Sequence, residues 1–387
     1  MENFVFQNET KIIFGRGYED RVGEEIKRYG RRVLLHYGGK SIKESGLYKK
    51  ILKYLEASGL DLVELPGVQP NPILGLVEKG IEICREEKLD FILAVGGGSV
   101  IDSAKAIAVG VPYEKNVWDF YSGKADAKSS LPVGVVLTLP ASGSEASSSS
   151  VITNEDGLYK RYYEAEILRP KFAILNPETT FTLPSFQTAC GAVDIMAHVM
   201  ERYFTNAKNV ELSDKLCEAT LKTVINNTPI ALQEPEDYNA RAEIMWAGTV
   251  AQNDLLGRGR IEDWGSHDIE HELSAIYGIA HGEGLAVVIP AWMKYVYKND
   301  INRFAQFAER VWNIEPDFWN MEKTALAGIT KTEEYFRSIG LPTSLKEIGI
   351  DEKKFEDMAV KCTKVGSVGN FVKLQKYDVL NILIMAK

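Results

Sequence analysis

Five histidines occur in the 387 residues, and four of them, His198, His267, His271 and His281, fall in the second half of the chain. Asp194 and His198 are four residues apart in an amphipathic stretch, so they share one helix face, and His267 with His271 repeats that spacing. Two such helices can bring neutral imidazoles and a carboxylate to one point. That donor set suits a divalent first-row cation with a position left open for substrate, Fe²⁺ or Zn²⁺ being the usual occupants. His281, followed by Gly282 and Glu283, starts another helix, and spacing leaves open whether it or His271 completes the set. The four cysteines, Cys84, Cys190, Cys217 and Cys362, are scattered without a CxxC pair, which sets aside a thiolate zinc site and a disulfide framework.

A second kind of chemistry sits in the first half. The apolar run 91–95 leads into Gly96-Gly97-Gly98-Ser99 and then into a helical stretch at 100–110 that carries Asp102 and Lys105. Strand, glycine loop and helix in that order bring free N–H groups and the positive end of a helix dipole to a phosphate. The bland alternative is a tight turn that needs a positive φ, for which one glycine would do. The run is neither GxGxxG nor a Walker loop. A turn at Gly38-Gly39-Lys40-Ser41 closes the strand 33–37 and lacks the acidic residue that usually binds ribose hydroxyls. Lys40, Ser41 and Lys43 there suit a 2′-phosphate, and so NADP over NAD. A third turn, 138–145, adds the hydroxyls of Thr138, Ser142 and Ser144.

These residues need a frame. Strand-like runs at 33–37, 62–65, 91–95, 133–138 and 172–175 alternate with helical stretches at 48–57 and 73–84, the signature of a mostly parallel sheet covered by helices. After Pro184 the pattern turns helical, at 186–204, 210–225, 238–252, 284–297, 301–312, 321–339 and 353–362. The expected organisation is α/β plus all-α, cut in the Pro- and Thr-rich segment near 184: residues 1–184, then 185–387. A net charge of −9 works against broad attraction to nucleic acid or anionic lipid. No run of about 18 apolar residues and no basic leader is seen, so a cytoplasmic protein is expected.

Taken together, Gly96-Gly97-Gly98-Ser99-x-x-Asp102-x-x-Lys105, Asp194-x-x-x-His198 and His267-x-x-x-His271 followed by His281-Gly282 resemble the iron-containing (group III) alcohol dehydrogenases. Phe14-Gly15-Arg16-Gly17, the 37–43 turn, Pro70-Asn71-Pro72 and Leu137-Thr138-Leu139-Pro140 are similar to the butanol dehydrogenase branch. The resemblance implies an amino-terminal Rossmann-like dinucleotide-binding domain and a carboxy-terminal helical metal-binding domain. It implies Asp194, His198, His267 and His281 as metal ligands, with His271 near the nicotinamide as a catalytic residue. Gly97, Gly98 and Ser99 would hold the pyrophosphate, Asp102 and Lys160 would approach the nicotinamide half, and Thr138, Ser142 and Ser144 would line the groove. The implied activity is hydride exchange between NAD(P)H and an aliphatic aldehyde or primary alcohol, in a homodimer. A glycerol-type polyol dehydrogenase and a sugar-phosphate cyclase share these features. The cyclase would need a basic cluster, for which only Arg202, Arg258 and Arg260 flank the ligands. A metal-dependent hydrolase would leave the three glycine- and hydroxyl-rich turns unexplained.

Overall fold

The computed structural model describes all 387 residues, Met1–Lys387. In chain order the elements are β1 (Lys11–Phe14), α1 (Val22–Ile26), β2 (Arg32–Tyr37), α2 (Ser41–Glu44), α3 (Leu47–Ala57), β3 (Asp61–Leu65), α4 (Leu74–Glu86), β4 (Phe91–Gly97), α5 (Gly98–Gly110), α6 (Trp118–Tyr121), β5 (Val133–Leu139), β6 (Ser149–Asn154), β7 (Tyr159–Glu164) and β8 (Phe172–Leu175). There follow α7 (Ser185–Tyr203), α8 (Glu211–Gln233), α9 (Tyr238–Gln252), α10 (Gly265–Tyr277), α11 (His281–Val296), α12 (Ile301–Trp312), α13 (Met321–Ser338), α14 (Phe355–Cys362) and α15 (Lys376–Met385). No helix is long and apolar enough to cross a membrane.

Two compact units emerge, Gln7–Leu183 with Pro235–Asn253, and Met1–Phe6 with Pro184–Glu234 and Asp254–Lys387. Two segments therefore depart from a single cut at 184/185. Helix α9 joins the α/β unit because Thr249 Oγ1 donates to the buried Glu145 at 2.6 Å, Trp246 meets Phe14 edge-on at 6.2 Å, and the Arg16 guanidinium lies 4.0 Å over the Tyr238 ring. Residues 1–6 join the helical unit through the Met1 amine on the Lys208 carbonyl at 2.7 Å and the Glu2 N–H on the Gly259 carbonyl at 2.9 Å.

Six strands form a parallel sheet in the order β1-β8-β5-β4-β2-β3. Central strands buried on both faces read as continuous apolar runs, which is why Phe91-Ile92-Leu93-Ala94-Val95 is legible as β4. Alternate residues serve opposite layers: Ile92 and Ala94 join the core under α4 and α5, whereas Phe91, Leu93 and Val95 join the core under α1 and α3. From β2 the chain runs outward to β3, and from β4 it runs the other way to β5 and β8. The connections reverse between β2 and β4, so the carboxyl ends of those strands flank the crevice where open α/β sheets take ligands. The Gly38 and Gly96 turns lie at those two ends. An antiparallel hairpin, β6–β7, falls outside the apolar runs because its residues are mostly serine, tyrosine and charged.

Buried His36, inside β2, bonds the Leu65 carbonyl through Nδ1 and Ser103 Oγ through Nε2, both at 2.8 Å. Burial lowers its pKa from 6.5 to about 4, with the Leu65 carbonyl partly opposing. The unfolded chain therefore takes up the proton first, and stability present at pH 7 is lost as pH falls from 6.5 through 4. We expect His36 to remove about 2 kcal/mol between pH 7 and pH 5. Urea unfolding at both values should show a shallower pH slope in His36→Gln; an unchanged slope would remove His36 from the account.

In the helical unit Phe204 stacks on Phe304 at 4.4 Å and meets Trp292 and Phe307 at 5.5 and 5.3 Å. These contacts tie the end of α7 to α11 and α12, each pair adding about 0.5–1.5 kcal/mol beyond its area. Helix α8 runs on to Gln233 with Pro229 inside it, past the expected end at 225. Helix α10, expected only from the His267/His271 spacing, carries no amphipathic stripe: Ser266, His267, Glu270, His271, Glu272 and Ser274 are all buried, so polarity no longer marks the outer face.

Candidate functional site

Helix α7 carries Asp194 and His198, α10 carries His267 and His271, and α11 begins at His281. Asp194, His267 and His281 bring ligand atoms within 4.8 Å of one another. The Asp194 Oδ1 to His281 Nε2 distance is 3.7 Å, and His198 Nδ1 lies 3.3 Å from the same Oδ1. Tetrahedral ligands on a first-row ion stand about 3.4 Å apart, so these separations suit a cation. His198 Nδ1 and His267 Nε2 are buried and make no hydrogen bond, as expected of atoms meant for a metal. Burial, then the neighbouring His267 and Arg202, hold His198 far below its usual pKa, in the neutral form that ligates. His271, also buried, sits 5.7 Å ring to ring from His281 and groups with Glu270 and His281 rather than with Asp194.

In the α/β unit none of Gly96, Gly97 and Gly98 has a positive φ, so the turn explanation for the triple glycine fails. Close approach explains it: a Cβ on Gly98 would lie 2.2 Å from Ser142 Oγ, and one on Gly96 2.4 Å from Val100 Cγ2. Helix α5 starts at Gly98 without a capping side chain, leaving its first N–H groups to face the carboxyl edge of the sheet. Ser99, Thr138 and Ser142 are half-buried there. Asp102 is buried and accepts from Ser144 Oγ at 2.6 Å and the Val151 N–H at 3.2 Å; burial raises its pKa, with Lys105 as the largest opposing influence. Lys160, on β7 and buried, adds a further positive influence on Asp102. Lys105 Nζ is tied to the carbonyls of Ser147 and Ser149 at 2.9 and 2.8 Å, and burial lowers its pKa to about 8. At the Gly38 turn, Gly39, Lys40 and Ser41 are exposed. Lys43 Nζ lies over the rings of Tyr37 and Tyr48 at 5.5 and 4.9 Å, and both tyrosine hydroxyls donate to Glu64 of β3.

Residues 9–177 match the iron-containing alcohol dehydrogenase family, and residues 188–386 match the C-terminal family of the Fe-containing alcohol dehydrogenases. The chain belongs to the iron-containing alcohol dehydrogenases. It is 47% identical to a probable NADH-dependent butanol dehydrogenase 2 of Bacillus subtilis, over 99% of both chains. It is 38% identical to the NADPH-dependent aldehyde reductase YqhD of Escherichia coli, over 95% of this chain and 94% of that one. The crystal structure of NADH-dependent butanol dehydrogenase A from Thermotoga maritima superposes with a TM-score of 0.97 at 42% identity, covering 100% of this chain and 99% of that one. The fold is that of the family, and the enzyme is a nicotinamide-dependent oxidoreductase.

Two carboxylates of this iron-type dehydrogenase escaped the sequence reading. Glu201 accepts from His267 Nδ1 at 2.7 Å, and Glu270 bonds His281 Nδ1. Burial works against the charge of Glu201, but hydrogen bonds from His267, Ser266 and the Trp264 N–H prevail and hold its carboxyl below the usual range. Spacing held a signal for both: Glu201 is three residues beyond His198, and Glu270 three beyond His267, each on the same helix face as that histidine.

Proposed function

We propose that this dehydrogenase reduces aliphatic aldehydes to primary alcohols, and runs the reverse oxidation, with Fe²⁺ and NADPH, as a cytoplasmic homodimer. The observation that carries the reading is the cluster of Asp194, His267 and His281, with His198 against Asp194. These four residues would hold the cation, Zn²⁺ being the alternative since imidazoles bind it more tightly. A bound divalent cation supplies Lewis-acid polarisation of the aldehyde oxygen, and the reduced nicotinamide supplies the hydride. His271, buried beside His281, is the proposed proton donor to the product oxygen. Gly97, Gly98 and Ser99, where α5 begins, would receive the pyrophosphate, with Gly96, Asp102, Thr138, Ser142, Ser144 and Lys160 around the rest of the cofactor. The α/β unit would thus be the dinucleotide-binding domain and the helical unit the metal-binding catalytic domain.

A phosphorylated substrate is disfavoured, because Arg260 is spent on the Arg202 carbonyl and Asp214, and Arg202 on the His198 carbonyl. The exposed apolar run Phe4-Val5-Phe6 supports burial against a second copy.

The choice of NADPH rests on the open Gly38 to Ser41 turn, where Ser41 and Lys40 can meet a 2′-phosphate while Lys43 stands over its two tyrosines. Similarity to the NADH-dependent butanol dehydrogenases of Bacillus subtilis and Thermotoga maritima favours NADH as the second reading. Iron-loaded enzyme with butanal should oxidise NADPH with a kcat/KM about tenfold above that for NADH, a difference of about 1.4 kcal/mol. Gly39→Asp should erase or reverse the preference without altering metal content, since a Cβ there meets nothing within 4 Å. Equal or better efficiency with NADH in the unmodified enzyme establishes the second reading.

A further inference from the structure

Each of two ligand histidines is backed by a buried carboxylate from a neighbouring turn or helix. Glu201, from α7, receives four hydrogen bonds: His267 Nδ1 at 2.7 Å, Ser266 Oγ at 2.5 Å, and the N–H groups of His267 and Trp264 at 3.2 and 2.7 Å. Helix α10 has no capping side chain of its own, so Glu201 caps it from another helix while gripping the ring that helix presents. Trp264 adopts a strained left-handed conformation, φ 70, and its N–H is thereby spent on Glu201. Glu270 bonds His281 Nδ1 through one oxygen and Ser274 Oγ through the other. Gly284 makes room for it, since a Cβ there would fall 2.6 Å from Glu270 Oε1.

We propose that Glu201 and Glu270 are positioning residues of the metal centre: each accepts a hydrogen bond from the Nδ1–H of one histidine, so that His267 and His281 present unprotonated Nε2 atoms to the cation. The proposal rests on the ligand set put forward above. An imidazole has two tautomers, and a fixed acceptor at Nδ1 selects the one with a lone pair on Nε2. It also stops the ring from turning, and the negative charge behind the ring strengthens its donation to a cation. Glu270 also groups with His271 and His281, but both of its oxygens are engaged, one by His281 Nδ1 and the other by Ser274 Oγ, and Glu201 lies in neither ligand group.

The test is Co²⁺ affinity, measured by chelator competition on purified full-length protein and followed by the absorption of the bound ion. Glu270→Ala and Glu201→Ala should each weaken Co²⁺ binding by about 10- to 100-fold, with Glu270→Gln and Glu201→Gln recovering much of the loss because a neutral amide oxygen still accepts from Nδ1. Unchanged affinity in both alanine variants, alongside loss of Co²⁺ in His267→Ala, overturns the positioning role and leaves the ligand set standing. Full Co²⁺ binding in His267→Ala overturns the ligand set itself. Glu201 also caps α10, so its variants need a check that is independent of folding. With five histidines in the chain, long-range ¹H–¹⁵N spectra of the unmodified Zn²⁺-loaded protein should show His267 and His281 protonated at Nδ1. Protonation at Nε2 in either residue overturns the proposal.

Discussion

His267→Ala should abolish stoichiometric metal and lower kcat/KM for aldehyde reduction by at least about 10³, roughly 4 kcal/mol of transition-state stabilisation. The ring is the part of α10 that faces Asp194 and His281, and its Nε2 is buried without a hydrogen bond. The fold should survive, because Glu201 would keep Ser266 Oγ and the N–H groups of Trp264 and residue 267. His271→Ala is the matched control. It lies one turn further on and groups with Glu270 and His281, so it should keep metal yet turn over slowly, with an altered pH profile. Metal analysis by mass spectrometry on both variants, with NADPH oxidation, decides. Full metal in His267→Ala, or complete metal loss in His271→Ala, would reverse the division of roles.

Gly282→Ala should be the most damaging single-methyl change near the site. A Cβ at Gly282 would stand 2.1 Å from the Cys190 carbonyl oxygen, 2.6 Å from its carbon and 2.7 Å from Cys190 Cα. All three are backbone atoms of α7, so no side chain can swing aside. Helix α11 would have to move away from α7, carrying His281 off both Glu270 and Asp194. Overpacking of this kind costs about 3 kcal/mol, and a displacement near 1 Å costs about 10² in rate. Gly278→Ala offers the contrast: φ there is 66 and a Cβ meets nothing within 4 Å, so only the left-handed conformation is penalised, by about 1 kcal/mol, with metal retained. Urea unfolding and metal content measured on both variants separate the two costs; an unchanged midpoint in Gly282→Ala would refute the close seating of α11 on α7.

Both experiments bear on a division visible throughout the molecule. Strands β2, β4, β5 and β8 were readable from the chain because a strand buried on both faces is apolar at nearly every position, hydrogen-bonded His36 of β2 being an exception, and local composition records that directly. The glycine loop was readable because backbone crowding leaves only glycine as a solution, and the crowding partners at Gly96 include Val100, four residues away. Asp194 with His198 and His267 with His271 were readable as facing pairs because helical spacing is a local property. What joined Asp194 to His267 and His281, and placed His271 with Glu270 instead, was the packing of α11 against α7 and α10 through contacts between residues such as Cys190 and Gly282, 92 positions apart. The same holds for α10, whose buried serines, glutamates and histidines erase the amphipathic stripe, and for α9, which left the helical half for the α/β unit on the strength of Thr249, Trp246 and Tyr238. Periodicity reports how a segment meets water. Which buried polar groups meet each other depends on the tertiary structure, because a carboxylate such as Glu201 is stable in the interior only when donors from distant segments converge on it.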